Sequence, residues 1–414
     1  MNNWQNNPKI LVINSGSSSL KYTLFEMSPE KILFSGTVDR IGLNGTTHVF
    51  SSGLNDKDTT REVDLKDHGA ALDEILSTLA NGPLRDLNEL PAVAHRVGHG
   101  GKYKEAVPVT AEVIREIHRM TPMIPLHHPA MIKEIEECQI RMPNALHVAV
   151  FDTSFHRTIP DAAAIYGLPY KYFAERGYRR TGFHGHSHQY VSGKVAEFMR
   201  RDIRDLKIIS CHLGNGASVT AVDGGKSVDT TLGMTAVEGL IMGTRSGDVD
   251  PGLMPIIMKE DSLSPDQTID MLYRESGLLG ISGLSRDMRE VETAAREGNE
   301  RASLALNAFC HKVRRFIGSM LMVKGGCDAL IFTGGIGNNS STVRSKVLAR
   351  TSMLGFVMDE KRNQSQKKTT AEDPVLEITS SESRIRIFVV RTFEELMMAR
   401  ECLSVLMTVR GQGQ

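Results

Sequence analysis

Three short stretches set glycine among residues that bind anions. NSGSSSLK (14–21) surrounds Gly16 with Asn14, four serines and Lys21; HLGNG (212–216) and GGIGNN (334–339) are the others. A tight glycine turn exposes successive backbone N–H groups, which cradle phosphate oxygens because no side chain blocks the approach. The hydroxyls add donors and Lys21 adds a full positive charge. One such turn is usually a plain hairpin. Three of them, each after an apolar run and spread over both halves, point to a nucleotide with several phosphates. The standard signatures are missing: there is no G-x-x-x-x-G-K-[ST] loop, and GIGNNS does not fit G-x-G-x-x-G. The grip is therefore of the hairpin type, split between the halves.

Two arginines accompany the turns. Arg96 ends an apolar run in AHRVGHGG, and Arg245 lies between glycines in MGTRSGDVDPG. A guanidinium fork suits carboxylate or phosphate; for Arg245 the plainer alternative is an ion pair with Asp248 or Asp250. Asp152 follows the run LHVAVF, a position where carboxylates hold Mg2+ or handle protons. Glu394 falls in the first turn of the last helix, where dipole compensation alone would account for it. His184, His186 and His188 alternate in GFHGHSH. On a strand they would share a face and form a transition-metal cluster. Gly185 weighs against a regular strand, and the other readings are histidines bonded to backbone or flanking an anionic substrate.

The elements that must position these groups are legible from periodicity. Residues 9–26 read as strand, turn, strand, with another strand near 32–38, and the polar stretch 42–58 reads as turns. Helices are expected at 68–80 and over TAEVIREIHRM, strands at PAVAHRV, LHVAVF, ALIFT and IRIFVV. Ser264, Pro265 and Gln267 form a capping-box start. Ala305, Phe309, Val313, Ile317 and Met320 mark one face of a long helix. Thr392 and Glu395 read as the capping box of the last helix. KILVINSGSSSLKY echoes KIISCHLGNGASVT at an offset of 198 residues, with Lys9 over Lys207, Gly16 over Gly214 and Asn14 over His212. Two similar lobes are expected, with a ligand cleft between them.

Composition bounds the function. The 414 residues suit two domains, and the formal net charge of zero argues against a nucleic-acid footprint. No apolar run approaches the roughly 18–20 residues that cross a bilayer, and the first residues, MNNWQNNPK, lack a signal-type apolar region. Five scattered cysteines without C-x-x-C make a disulfide framework or zinc ribbon unlikely, so a reducing cytoplasm is expected.

In order along residues 9–401, the motifs VINSGSSSLKY, HRVGHGG, FDTSFH, GFHGHSHQYV, CHLGNGASV, MGTRSGDVDP, FTGGIGNN and TFEELMMARE resemble those of the acetate kinases and their relatives the propionate kinases. The resemblance implies a duplicated ribonuclease-H-like α/β fold of the actin and hexokinase type, with two mixed sheets flanked by helices and an active-site cleft between lobes. The lobes would be residues 1–153 with about 391–414, carrying the acyl, Mg2+ and phosphate side, and 154–390, carrying nucleotide binding and dimerisation. The implied reaction converts ATP and acetate to ADP and acetyl phosphate with Mg2+, or Mn2+ in its place, in a cytoplasmic homodimer with no nucleic-acid or membrane partner. By motif, Asn14 and Glu394 would hold the metal. Asp152, His184 and Arg245 would be catalytic. Arg96, Gly98, Leu126, Phe183 and Ala236 would bind the acyl group. Lys21, His212, Leu213, Gly214, Asn215, Gly216, Asp287, Met288, Arg289, Gly335, Ile336, Gly337, Asn338 and Asn339 would bind the nucleotide. The sequence departs from its relatives at Gly98, usually valine, and Ala236, usually proline. Lost carbons there are expected to widen the acyl pocket and admit propionate. Other departures are Lys102, His186, Asn338 and Phe393; Asn338 leaves nucleotide preference open. The alternatives in other classes are a non-catalytic nucleotide-binding relative and a metal hydrolase built on HGHSH.

Overall fold

The computed structural model describes residues 7–16, 18–53, 57–125, 128–365 and 369–411. The chain divides into two compact units, 1–154 with 393–414, and 155–392.

The first unit is built on an eight-stranded mixed sheet. Its strands are β1 (Lys9–Ser15), β2 (Ser19–Glu26), β3 (Lys31–Asp39), β4 (Thr47–Ser51), β5 (Thr59–Glu62), β6 (Ala92–Val97), β7 (Val107–Pro108) and β8 (Leu146–Phe151), in the order β5-β4-β3-β2-β1-β6-β8-β7. β1 runs antiparallel to β2 and parallel to β6, which is parallel to β8. The helix Glu394–Gly411 packs on β1, β6 and β8, and the helix His128–Arg141 packs on β1 and β6. Strands at the centre of such a sheet need apolar residues in succession rather than alternation, which is why LHVAVF is buried from its second residue onward.

The second unit repeats the plan. Its strands β9 (Lys207–Leu213), β10 (Ala217–Asp223), β11 (Lys226–Thr230), β12 (Ala329–Thr333), β13 (Val375–Glu377) and β14 (Arg386–Val390) take the order β11-β10-β9-β12-β14-β13. The sequence echo is therefore structural. β9 starts and ends 198 residues after β1, and each forms an antiparallel hairpin with the next strand and a parallel pair with a later one. The helix Gly185–Met199 packs on β9, β12, β13 and β14, and the helix Glu300–Lys324 on β9 and β10. The five expected positions from Ala305 to Met320 on the latter are all buried. The Ser264–Gln267 capping box forms as expected.

Three local expectations fail. Residues 42–58 are not all turn: β4 crosses them, because His48 is fully buried and bonds the Tyr22 hydroxyl at 2.9 Å and Glu74 at 2.9 Å, fixing a strand that polar composition hides. The last helix starts at Glu394, one residue too late for Thr392 to cap it, and the buried Thr392 Oγ1 finds no hydrogen-bond partner among the described residues. GGIGNN is not an open turn but a short helix, Gly334–Asn339. Gly334 enters it at φ +76°, where a Cβ would stand 2.6 Å from the Leu213 carbonyl oxygen.

Candidate active site

In the first unit, the β1–β2 hairpin places Asn14, half-buried, directly across from Lys21, exposed. The turn closes through a hydrogen bond from the Gly16 N–H to the Ser19 carbonyl at 2.8 Å, and the Gly16 carbonyl in turn accepts from His68 Nε2 at 2.8 Å. His68 is a support that turn composition did not reveal. Ser17 lies outside the described residues.

Arg96, near the end of β6, reaches Asp152, just past the parallel strand β8. Its Nε donates to Oδ1 and Oδ2 at 3.0 and 3.1 Å and its Nη2 donates to Oδ2 at 2.7 Å; Glu394 Oε2 is 3.6 Å from Nη2. Burial opposes the charge on Arg96, but Asp152, Glu394 and Glu395 outweigh it and raise its pKa. Nη1 makes no hydrogen bond among the described residues. Burial and the neighbouring Glu394 raise the pKa of Glu395, against the pull of Lys21 and Arg96. Three carboxylates thus gather around one guanidinium.

Gly98 sits in the loop after β6. Ile124 Cδ1 is 2.8 Å from where its Cβ would stand and His128 Nε2 is 3.8 Å away. The volume freed by the missing side chain is thus taken by Ile124, itself 2% exposed, and not left as extra room at that point. His128 fixes the loop: Nδ1 donates to the Ile117 carbonyl and Nε2 accepts the His99 N–H at 3.2 Å. Burial holds its pKa down at about 4, so it is neutral. Leu126 lies outside the described residues.

In the second unit, HGHSH is a helix start, not a strand. His184 takes a left-handed conformation (φ 59°) as N-cap of Gly185–Met199, which distributes the three histidines around a turn instead of along one face. His184 Nδ1 bonds Ser218 Oγ at 2.9 Å, and its ring stacks on His212 at 4.2 Å. His188 bonds Ser210 and Ser218 through its two nitrogens, and burial drives its pKa far down. Gly216 lies against the His184 ring and the Arg245 guanidinium. A Cβ there would be 3.2 Å from His184 Nε2 and 3.5 Å from Arg245 Nη1, so the missing side chain keeps the two open to one another's surroundings.

Arg245 is half-buried, and its Nη1 donates to the Ala236 carbonyl at 3.3 Å and to Met242 Sδ at 3.8 Å. Asp248 and Asp250 do not pair with it. Each accepts a backbone N–H instead, from Gly239 and Gly252. Burial accordingly lowers the Arg245 pKa. A half-buried cation with no carboxylate partner among the described residues favours the approach of an anion. Ala236, buried, meets Arg245 through its carbonyl, and the buried Phe183 directly precedes His184 in sequence.

A cavity of about 790 Å3 in the same unit is lined by Gly214, Asn215, Asp287, Met288, Arg289, Gly335, Ile336 and Asn339, all expected from motif, and by Arg286, Glu292 and Ser340, which were not. Asn338 instead lines a neighbouring cavity of about 340 Å3 and accepts from Thr369 Oγ1 at 2.8 Å. His212, Leu213, Gly216 and Gly337 are not among the lining residues of either; they form the frame behind. Asp287 caps the helix Met288–Arg296 and grips Arg289 with both oxygens. Arg344 anchors the carbonyl end of Gly334–Asn339, donating from Nη1 to Gly337 and Asn338 oxygens at 2.9 and 3.1 Å and from Nε to Asn363 Oδ1 at 2.7 Å. Nothing in its local sequence marks it.

Comparisons with known proteins show the family. The acetokinase family model matches residues 9–400. The chain is 44% identical over 402 residues to the acetate kinase of Halothermothrix orenii, covering 96% of this chain and 99% of that protein. It is 44% identical over 395 residues to the acetate kinase of Bacillus subtilis, covering 95% and 98%. Among solved structures, it is similar to an acetate kinase from Porphyromonas gingivalis (40% identity, TM-score 0.86, 96% and 100% covered) and to a propionate kinase from Francisella tularensis (36%, 0.88, 96% and 100%). Motifs, duplicated sheets and full-length similarity converge: the chain belongs to the acetokinase family.

Proposed function

We propose that this protein is an ATP:acetate phosphotransferase that makes acetyl phosphate and ADP reversibly. The observation that carries the reading is Arg245, a half-buried guanidinium with no carboxylate partner among the described residues, in a chain similar throughout to proteins named acetate kinases. The acceptor, a carboxylate, is already ionised at neutral pH, so no base is needed to activate it. The obstacle is repulsion between that anion and a polyphosphate, and transfer is mostly positioning and charge neutralisation.

Each residue has a task in this reading. Arg96, held rigid by Asp152, offers its remaining Nη1 to the acyl carboxylate. Arg245 and His184 neutralise the transferred phosphoryl group, with Ser218 orienting the His184 ring. Lys21 addresses phosphate, and the cavity around Asn215, Arg286 and Ile336 takes the nucleoside. The excess of carboxylate around Arg96 fits a hard cation, and the oxygens of Asn14 and Glu394 are ligands of the kind Mg2+ or Mn2+ takes. When bound, that ion would offset charge on the nucleotide phosphates. A homodimer and a cytoplasmic location belong to the same proposal, on family resemblance; among the described residues no helix is long and apolar enough to cross a membrane.

Propionate is the second substrate to consider, because the chain is also similar to a protein titled a propionate kinase. Protein, ATP, Mg2+ and hydroxylamine with acetate or propionate should give the acyl hydroxamate. No hydroxamate from either acid would overturn the proposal.

A further inference from the structure

On the first unit's sheet, His95 directly precedes Arg96 on β6, so their side chains leave opposite faces. His95 meets the helix His128–Arg141, where Glu134 and Cys138 stand one turn apart. His95 Nδ1 is 2.9 Å from Glu134 Oε1, and Cys138 Sγ is 3.1 Å from the same oxygen. One ligand atom from each residue lies within 4.8 Å of the others, and no second group of three of this kind occurs among the described residues. All three are at most 1% exposed. Glu134 Oε2 is buried and has no hydrogen-bond partner there, an expensive condition for a carboxylate oxygen.

We propose that His95, Glu134 and Cys138 form a buried binding site for a borderline-soft divalent transition metal such as Zn2+ or Co2+. The hydrogen-bond chain fixes the ligand atom of His95. His147 Nε2 must donate, because it faces the Met142 carbonyl at 3.0 Å. Its Nδ1 then accepts from His95 Nε2 at 2.9 Å, which leaves His95 Nδ1 as the nitrogen directed at Glu134. His147 is thus the outer partner that orients a metal-binding imidazole. Charge balances as well. Once the Cys138 thiol has released its proton, a divalent ion facing one carboxylate and one thiolate makes the site neutral. Glu134 Oε2 supplies a fourth donor if the carboxylate binds through both oxygens. Metal–ligand bonds of roughly 2.0–2.3 Å require the two separations from Glu134 Oε1, 2.9 and 3.1 Å, to spread by a few tenths of an ångström. The mixed sulfur, nitrogen and oxygen donor set differs in kind from the all-oxygen set proposed at Asn14 and Glu394.

The test is Co2+ titration of chelator-treated full-length protein in excess Mg2+, read by absorption. The expected result is one equivalent bound with a sulfur-to-cobalt charge-transfer band, erased by Zn2+. An oxygen site for Mg2+ gives no such band. Cys138→Ala should abolish the band and keep hydroxamate activity, and the isosteric Glu134→Gln should weaken Co2+ binding at least tenfold. Absence of the band in the wild-type protein, or its persistence in Cys138→Ala, overturns the proposal; should Cys138→Ala not fold, undiminished binding by Glu134→Gln overturns it.

Discussion

The δ-methyl of Ile124 lies 2.8 Å from the point where a β-carbon on Gly98 would stand. The two residues share one volume, so a large side chain at one position requires a small one at the other. Gly98→Val alone should overpack the loop, cost about 1–3 kcal/mol and lower acyl-substrate turnover. Adding Ile124→Ala should restore thermal stability and activity together. Ile124→Ala alone should raise the propionate-to-acetate ratio of kcat/KM. An unchanged ratio would show that this pair does not face the acyl chain.

Asp152→Asn should leave Arg96 in place with Glu394 as its nearest remaining carboxylate. The guanidinium is about one-fifth exposed, so the stability loss should fall below the roughly 3–5 kcal/mol of breaking a fully buried pair. Activity should fall much further, by about 10³-fold. Denaturant titration beside hydroxamate kinetics separates the two losses.

Arg245→Met predicts the reverse division. Removing a half-buried cation that has no carboxylate partner among the described residues should leave the melting temperature unchanged or raised, while kcat falls by about 10³-fold or more. A large loss of stability would mean that Arg245 serves the fold.

Arg344→Met should release the carbonyl end of Gly334–Asn339. The expected outcome is a KM for ATP raised about tenfold, one 1.4 kcal/mol step, with a smaller change in kcat. Equal KM values in variant and parent would remove Arg344 from nucleotide binding.

Lys324 offers a pH test. Burial lowers its pKa from 10.5 to about 8, and its Nζ has no hydrogen-bond partner among the described residues. The unfolded chain therefore holds its proton more tightly, and this group's penalty on folding is full below pH 8 and fades as pH rises toward 10.5. Lys324→Met should stabilise the protein by about 1–3 kcal/mol at pH 7, with the gain shrinking by pH 10. A gain independent of pH would assign the effect to packing instead.

Much of this was legible in the sequence because it rests on short-range rules. The run LHVAVF, the Ser264 cap and the face from Ala305 to Met320 each follow from local periodicity or capping. The duplication was visible because β1 and β9 keep the same turn. What was hidden depends on partners far along the chain. β4 exists because His48 reaches Glu74, 26 residues on. Gly98 reads as empty space until Ile124 is seen to fill it. Arg344 and His68 act on backbone carbonyls, which carry no side-chain signature. Thr392 misleads because a capping motif states a preference, and here the helix starts one residue later.

The first unit draws its core from both ends of the chain. The helix Glu394–Gly411, with Glu394 at its start, packs on β1, β6 and β8, which are synthesised hundreds of residues earlier. During translation that sheet waits with one face uncovered while the whole second unit, continuous in sequence, emerges and can fold first. A chain that stops before Glu394 loses a cover for its central strands and Glu394 at one stroke. Incomplete copies are therefore marked by exposed apolar strands, the feature that chaperones and proteases act upon, before they can compete for substrate.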